Sequence, residues 1–194
     1  TPFSATDYPG KLAAVVFVQG CPWRCGYCHN PHLQNRTADS PLAWSDVITK
    51  LKRRVGQIDA VVFSGGEPTM DPALEDAMRE VRSLGFGVGL HTAGMYPRRL
   101  QEVLHLVDWV GMDIKATPQR YDVVTRVADS AKSAWDSAQR MLDSGAIRRI
   151  GETFERDLQR RALVVMATGA GKTRTVIALV DLLMRSNWVK RALF

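Results

Sequence analysis

Cysteine is scarce in this sequence of 194 residues, which has three, and all of them lie between positions 21 and 28. An odd and tightly clustered set is a poor disulfide framework, whereas it suits a metal site in a reducing compartment. Long apolar runs are also lacking, since none approaches the length that spans a bilayer, and no signal peptide is visible. We therefore expect a cytoplasmic protein with no membrane partner.

An excess of one charge sign is missing from residues 1–145, which carry 16 Lys and Arg against 16 Asp and Glu. Residues 146–194 carry 10 and 4, so the whole net charge of +6 lies there. Such an asymmetry indicates either two segments with different partners or a solvated basic face. We expect no nucleic-acid binding by the first segment and leave it open for the basic second segment.

Apolar runs alternate with amphipathic stretches through the first segment. The predicted strands cover residues 12–18, 60–63, 87–91 and 109–114. The predicted helices cover residues 42–55, 71–85, 97–104 and 130–142, the first of them with Ser40 as N-cap and Pro41 as first helical residue. This alternation predicts an α/β fold with a parallel sheet, in which functional residues gather at the carboxyl ends of the strands.

Cys21, Cys25 and Cys28 follow the first predicted strand with the spacing C-x3-C-x2-C. Three thiolates on one short loop can hold three corners of a cuboidal iron–sulfur cluster and leave the fourth iron open to a substrate. Two alternatives remain open at this point. The residues from Cys25 onward also fit the C-x-x-C-H haem attachment pattern, and a structural zinc site could add His29 or His32 to the three cysteines.

Two other predicted strands end in polar residues. In Ser64-Gly65-Gly66-Glu67, the paired glycines allow a close backbone approach to a ligand, and the acid could pair with an ammonium group. In the segment 113–115, alternation places an aspartate and a lysine on the same side, where they could orient a zwitterionic ligand. Taken alone, these features also fit a turn and a solvated ion pair.

Together these segments resemble the signature of the radical S-adenosylmethionine (SAM) superfamily. The resemblance implies that Cys21, Cys25 and Cys28 hold a [4Fe-4S] cluster whose open iron binds SAM. An electron from the cluster then breaks a carbon–sulfur bond and releases a 5′-deoxyadenosyl radical, with no catalytic residue beyond the cluster and SAM. The implied SAM-binding residues are Tyr27, which packs on the adenine, Ser64, Gly65, Gly66, Glu67, Asp113 and Lys115.

The third predicted strand ends in His91-Thr92-Ala93-Gly94, at the position of a threonine-asparagine-glycine segment in relatives of this kind. Here Ala93 replaces the asparagine. A contribution of His91 or Thr92 to the site is one interpretation, and a satisfied polar group is the other.

Residues 1–11 and 21–33 resemble activating proteins of anaerobic ribonucleoside-triphosphate reductase, which are cousins of the pyruvate formate-lyase activating enzyme. This resemblance covers residues 1–145 and implies a radical SAM core that removes a hydrogen atom from a glycine Cα of a glycyl radical enzyme. A flavodoxin- or ferredoxin-type electron donor is implied as a second partner. Because those relatives continue into further strands of a partial (βα)6 barrel, a truncated barrel is expected here.

Residues 146–194 resemble instead the first nucleotide-binding motif of the motor subunit of type I restriction enzymes. After the predicted strand 163–167, the loop with Gly169 and Gly171 would cradle phosphates, Lys172 would reach the β- and γ-phosphates, and Thr173 would hold Mg²⁺. ATP with Mg²⁺ is therefore a candidate cofactor, and an ATP- or DNA-binding fragment is the alternative function beside a structural metal-binding protein.

The predicted nucleotide-binding segment lacks a second acidic motif, so we do not expect it to hydrolyse ATP alone. We infer a junction near residues 144–146. The predicted C-terminal strand-loop-helix could replace the missing βα unit and pair with the fourth strand.

Overall fold

In the computed structural model, which describes residues 1–37 and 40–144, parallel strands form a four-stranded sheet. The strands are β1 (Ala13–Val18), β2 (Ala60–Gly65), β3 (Gly87–Thr92) and β4 (Trp109–Met112), in the spatial order β1-β2-β3-β4. Their register sets Ala13 opposite Ala60, and Ala60 opposite Gly87. The predicted α/β fold with a parallel sheet is confirmed.

Helices connect consecutive strands, as parallel pairing requires. They are α1 (Trp44–Lys52), α2 (Leu74–Ser83), α3 (Pro97–Val103), α4 (Tyr121–Thr125) and α5 (Ser130–Asp143), with short 3-10 turns at Pro31–Leu33, Pro68–Met70, Leu104–Leu106 and Pro118–Arg120. On one face of the sheet, Phe63 and Leu90 share a buried cluster with Leu51, Met78 and Leu100 of the first three helices. Burying each such side chain stabilises the fold by roughly 1.5–3 kcal/mol. Within the described ranges, no helix is long and apolar enough to cross a membrane.

The start of α1 differs from the sequence prediction. The helix begins at Trp44 with an extended Ala43 as its N-cap residue, so the predicted start at Ser40 and Pro41 is wrong. The Ser40 hydroxyl donates to the Leu42 carbonyl at 2.7 Å and so closes a local turn. Short polar side chains that bond to nearby backbone in this way compete with helix capping.

β4 is shorter than predicted and ends at Met112 instead of Ile114. Met112 pairs with Thr92, which is the last residue of β3, so the ladder has no partner strand beyond this point. The chain after β3 turns away at Gly94, whose φ is +73°. The short helix α4 was not predicted at all.

The N-terminal segment, residues 1–11, covers the free edge of β1. Ser4 forms an antiparallel bridge with Ala13, and the Thr1 ammonium group donates to the Val15 carbonyl at 2.8 Å. An edge strand presents unpaired amides and carbonyls that can pair with other chains. The segment satisfies those groups at Ala13 and Val15.

The same segment also fills the amino-terminal half of the sheet face opposite the helices. Tyr8 packs there against Trp109, with 5.4 Å between the ring centroids. A Cβ atom on Gly89 would lie 3.1 Å from the Tyr8 ring and 2.9 Å from Val62, so the glycine makes room for the tyrosine. The carboxyl-terminal half of this face is left for polar side chains.

Candidate active site

The polar segments singled out in residues 1–145 lie along one edge of the sheet, where its parallel strands end. This carboxyl edge consists of the cysteine loop after β1 (residues 20–37), residues 64–70, residues 92–95 and residues 113–115. Strands that run in the same direction end at the same edge, and ligands of α/β proteins bind there. The structure therefore brings together groups that are almost 100 residues apart in the chain.

The cysteine loop is held at its base and near its tip. At the base, the amides of Gly20 and Cys21 donate to the carbonyls of Leu33 and Gln34 at 2.8 and 3.0 Å. Farther along, the Arg24 amide donates to the Thr125 carbonyl at 2.9 Å, which ties the loop to the end of α4.

Between these two anchors, Trp23 is buried edge-on against Tyr121, with 5.5 Å between the ring centroids. The packing of the aromatic pair and the hydrogen bonds of the backbone amides fix the part of the loop that carries the thiols.

All three cysteines are free thiols, and each is half-buried. Burial raises the pKa of Cys21 to about 11, and the charges of Glu67, Cys25 and Cys28 add to this effect. Burial also raises the pKa of Cys25, although the nearby Lys115 acts in the opposite direction. The thiols are thus within electrostatic reach of one another, and the raised pKa values keep Cys21 and Cys25 protonated at neutral pH. A metal that binds them would displace those protons.

The structure gives no support to a zinc site at the cysteine loop. His29 and His32 are exposed, and in the part of the chain that the structure describes no three His, Cys, Asp or Glu side chains are arranged to hold a single metal ion. A cuboidal cluster requires a different arrangement, because each thiolate binds a separate iron at its own corner. Three free thiols on one anchored loop fit that requirement.

The glycine pair brings the end of β2 against the start of the cysteine loop. The Gly66 amide donates to the Val18 carbonyl at 2.9 Å, and the next amide donates to the Gly20 carbonyl at 2.8 Å. A Cβ atom on Gly65 would lie 2.5 Å from the Val18 carbonyl oxygen, and one on Gly66 would lie even closer to that of Gly20. The close approach that the sequence suggests toward a ligand is therefore made here to the chain's own backbone.

Glu67 is completely buried and links the ends of β2 and β3. Its Oε1 accepts hydrogen bonds from the Thr69 amide (3.2 Å), the Thr69 hydroxyl (2.5 Å) and the Thr92 hydroxyl (2.7 Å). Its Oε2 accepts one bond, from the Ala93 amide at 2.9 Å. A carboxylate oxygen has about two lone-pair positions, so Oε1 is fully engaged by its three donors, whereas Oε2 has one position left for a further donor.

The sequence offers only indirect signals for the partners of Glu67. The sequence predicts no role for Thr69, whose amide and hydroxyl both donate to Glu67 in the structure. For Thr92 the sequence allows a direct contribution to the site or a satisfied polar group, and in the structure its hydroxyl donates to Glu67.

Asp113 and Lys115 lie on the same side, as predicted, and form an ion pair of 2.6 Å between Nζ and Oδ2. The Lys115 side chain is only 14% exposed, while that of Asp113 is 38% exposed. Burial lowers the pKa of Lys115, but Asp113 more than offsets this and leaves the pKa raised. The ammonium group therefore stays charged beside Cys25.

Tyr27 is close to the lysine and within electrostatic reach of Cys25 and Cys28. Lys115 Nζ is 5.7 Å from the centre of its ring. Burial raises the pKa of Tyr27, and the charges of Asp113, Cys25 and Cys28 raise it further. The Tyr27 hydroxyl is buried and has no hydrogen-bond partner among residues 1–37 and 40–144.

His91 is a satisfied polar group in this structure. Its Nε2 lies 3.1 Å from the Asp7 carbonyl oxygen, and its Nδ1 lies 3.0 Å from the Ser64 hydroxyl. Because a carbonyl can only accept, Nε2 carries the proton and Nδ1 accepts from Ser64. Burial lowers the pKa of His91, which favours this neutral form. The Ser64 hydroxyl is therefore already engaged by His91.

The turn between α4 and α5 supports the cysteine loop and was missed from the sequence. The hydroxyls of Thr125 and Ser130 are 2.7 Å apart, and Asp122 accepts from the Ser130 amide and hydroxyl at 3.1 and 3.0 Å. Arg126 and Asp129 have φ values of 58° and 56°, which residues other than glycine rarely adopt. This turn presents the Thr125 carbonyl to the loop.

A family model described as the Radical SAM superfamily matches residues 15–153, more than two thirds of the chain. The pyruvate formate-lyase-activating enzyme of Clostridium pasteurianum is 37% identical over 114 residues, covering 56% of this chain and 48% of that enzyme. The enzyme of the same name from Streptococcus mutans is 30% identical over 161 residues, covering 74% and 59%. The chain spans 48–59% of the length of the curated relatives it matches most strongly.

The fold also has neighbours among solved structures. Streptococcus suis SuiB, in a crystal structure bound to S-adenosylmethionine, superposes with a TM-score of 0.57 at 15% sequence identity. The superposition covers 90% of this chain and 48% of SuiB. At this identity the likeness concerns the fold alone.

A second family model, described as the res subunit of type III restriction enzymes, matches residues 136–194. Its description names type III enzymes, whereas the sequence resemblance was to the type I motor subunit. The match overlaps the first one over residues 136–153, which include the predicted junction.

The predicted phosphate-binding residues Gly169, Gly171, Lys172 and Thr173 lie outside the described residues, as does the predicted strand 163–167. ATP and Mg²⁺ binding at these residues stays a prediction.

Proposed function

Because the chain belongs to the radical SAM superfamily, we propose that it generates a glycyl radical on a partner enzyme. The observation that carries the proposal is the meeting of three free, half-buried thiols with a buried acid, Glu67, and a buried ammonium group, Lys115, at one edge of the sheet. The similarity to pyruvate formate-lyase-activating enzymes supports the glycyl-radical class of partner.

In this proposal Cys21, Cys25 and Cys28 hold a [4Fe-4S] cluster. The donor set fits, because the thiols form no disulfide, sit on a loop anchored at two places, and lie within electrostatic reach of one another. When bound, the cluster would supply the electron that cleaves SAM reductively, so that a SAM-derived radical can take a hydrogen atom from a glycine Cα.

The chain's own residues would bind and orient the ligands. Lys115 places a positive charge beside Cys25, which favours the thiolate form that iron needs. Glu67 is held by its interior hydrogen bonds with one acceptor position of Oε2 left over, which suits the SAM ammonium group. Gly65 and Gly66 hold the cysteine loop against β2, so that Glu67 and the thiols keep a fixed separation.

For the finer identity of the partner, we propose the anaerobic ribonucleoside-triphosphate reductase class. Residues 1–11 and 21–33 favour this class. The electron must come from outside the chain, for which a flavodoxin- or ferredoxin-type donor is suited. The covered edge of β1 and the Tyr8 packing also give the N-terminal segment a structural role beside any partner role.

Anaerobic reconstitution with iron and sulfide tests the proposed function. We expect about four irons per chain, a broad visible absorbance that dithionite bleaches, and 5′-deoxyadenosine when SAM and a reductant are added. Stoichiometric zinc without iron would contradict the proposal.

The partner class is tested with the loaded protein and two candidate partners under SAM and reductant. A glycyl-radical electron paramagnetic resonance signal on an anaerobic ribonucleotide reductase, but not on pyruvate formate-lyase, is the expected result. The reverse pattern would keep the class of activity and overturn the reductase assignment.

A further inference from the structure

The Tyr27 hydroxyl stands apart from the other buried polar groups of the structure. In the described ranges it is the one buried side-chain oxygen or nitrogen without a hydrogen-bond partner. The hydroxyl of Tyr121, buried nearby, accepts from the Lys115 amide at 3.2 Å. Buried polar groups are bonded in the great majority of cases, and each exception needs an explanation. A ligand that supplies the missing partner is one such explanation.

The surroundings of the hydroxyl indicate which ligand atoms it could meet. The titratable groups whose ionised forms raise the pKa of Tyr27 are Asp113, Cys25 and Cys28. Asp113 is already paired with Lys115, whose Nζ also lies 5.7 Å from the Tyr27 ring centre. Of the groups that act on Tyr27, the thiols of Cys25 and Cys28 therefore remain outside an ion pair. Neither thiol is within hydrogen-bonding distance of the Tyr27 hydroxyl.

We propose that the Tyr27 hydroxyl donates a hydrogen bond to a sulfur atom of the bound iron–sulfur cluster. This inference rests on the proposed function, since it takes Cys25 and Cys28 as cluster ligands. Hydrogen bonds to cluster sulfurs help to set the reduction potential. The bond stabilises the reduced cluster, which carries more negative charge. Tyr27 thereby makes the cluster easier to reduce, a role separate from any packing of its ring on SAM.

The variant Tyr27→Phe tests this inference, because it removes the hydroxyl and keeps the ring. Wild type and variant are reconstituted with iron and sulfide, and the cluster is titrated against redox mediators while its electron paramagnetic resonance signal is followed. We expect full iron loading in both and a more negative midpoint potential in the variant. After exchange into deuterated buffer, a deuteron coupling to the reduced cluster should be present in wild type and lost in the variant.

Two other tyrosines serve as matched controls. Tyr8→Phe removes a hydroxyl at the amino-terminal half of the sheet face, remote from the thiols, and should leave the potential unchanged. Tyr121→Phe removes a hydroxyl that already has a partner and should lower the melting temperature of the metal-free protein. Tyr27→Phe should leave that temperature unchanged or raise it, since no bond within the described chain is lost.

The outcomes separate this inference from the proposed function. A wild-type chain that assembles no cluster overturns both. A normal cluster whose potential and deuteron coupling are the same in Tyr27→Phe overturns the inference alone. The same holds if the variant changes only the affinity for SAM, because the hydroxyl would then bind the ligand and not the sulfur. A fall in metal-free melting temperature equal to that of Tyr121→Phe would show a partner within the chain and would also overturn it.

Discussion

At the amino edge of the sheet, where the strands begin, acidic side chains complete backbone hydrogen bonding in contact with water. Asp59 accepts from the Leu12 amide and Asp108 from the Val88 amide, each at 2.8 Å. Asp108 also pairs with Arg82 at 3.0 Å, and both side chains of this pair are about 40% exposed. Such charges need no ligand, because solvent screens them and supplies their remaining hydrogen bonds.

At the carboxyl edge, two polar groups are buried and incompletely hydrogen-bonded, although Asp113 is 38% exposed and paired with Lys115. Glu67 is completely buried with acceptor capacity left on one oxygen, and the Tyr27 hydroxyl has no partner in the described chain. Burial raises the pKa values of Cys21 and Cys25, so that both thiols hold their protons at neutral pH. Burial without complete pairing costs free energy, which a charged ligand can return on binding. The polar groups of the amino edge thus have a structural role, whereas those of the carboxyl edge are suited to bind a ligand.

The largest expected effect comes from removing a thiol at the carboxyl edge. Cys25→Ala should abolish cluster assembly and SAM cleavage, because two thiolates on the loop cannot hold a cluster that requires three. Iron content and 5′-deoxyadenosine formation measure the loss. The matched change at the amino edge, Asp59→Asn, should load iron as wild type does. 5′-Deoxyadenosine production by Cys25→Ala at the wild-type rate would break the comparison.

Removing the buried acid should have the next largest effect. Glu67→Ala leaves the Thr92 hydroxyl and the Ala93 amide without their acceptor, and we expect the free energy of unfolding to fall by about 2–5 kcal/mol. Asp59→Asn, which keeps an acceptor at an exposed position, should cost less than about 1 kcal/mol.

Urea denaturation of the metal-free proteins compares the losses of Glu67→Ala and Asp59→Asn. If the two variants lost similar amounts of free energy of unfolding, burial would not explain a difference between the two edges. Glu67→Gln is a smaller change that should also lower the free energy of unfolding. Its side-chain NH₂ group would replace Oε2 and meet the Ala93 N–H, so that two donors would face each other.

Glycines at the two edges differ in how much space a side chain would have. A Cβ atom on Gly66 would collide with the Gly20 carbonyl, whereas one on Gly87 would meet its neighbours at 3.6 Å, an ordinary contact. Gly66→Ala should therefore cost about 1–3 kcal/mol in stability and reduce iron loading, because the cysteine loop must shift. Gly87→Ala should be neutral or stabilise by up to about 1 kcal/mol. Equal tolerance of both substitutions in thermal unfolding would contradict the packing described here.

The comparison of the edges also indicates what the sequence could reveal. The strands were predictable because apolar runs repeat at regular intervals, and the position of the polar segments followed from parallel strands ending together. These are local patterns that a short window contains.

Features that depend on contacts distant in sequence were not predictable. The antiparallel pairing of Ser4 with Ala13, the packing of Tyr8 on Trp109 and the approach of Gly66 to Gly20 all join segments whose meeting no local pattern encodes. The predicted cap at Ser40 was wrong because a serine hydroxyl can bond to a neighbouring carbonyl as readily as it caps a helix.

The smallest expected effect is a difference in pH dependence between the edges. Burial raises the pKa of Cys21 at the carboxyl edge from about 9 to about 11, and that of Tyr8 toward the amino edge from about 10 to about 12. Both groups bind their proton more tightly in the folded state. Their contribution to stability is therefore complete below the unfolded-state pKa and is lost as the pH rises through the window up to the folded-state pKa.

In the metal-free protein under reducing conditions, stability should begin to fall near pH 9, and Cys21→Ala should make that fall shallower, with the remainder due to Cys25, whose pKa is also raised. Tyr8→Phe should leave the decline near pH 9 in place and reduce only the part above about pH 10. Urea midpoints measured at intervals of half a pH unit resolve the two windows. A Cys21→Ala midpoint that falls with pH as the wild type does would mean that this thiol is no more buried than the groups of the amino edge. The distinction between the edges would then rest on Glu67 and Tyr27 alone.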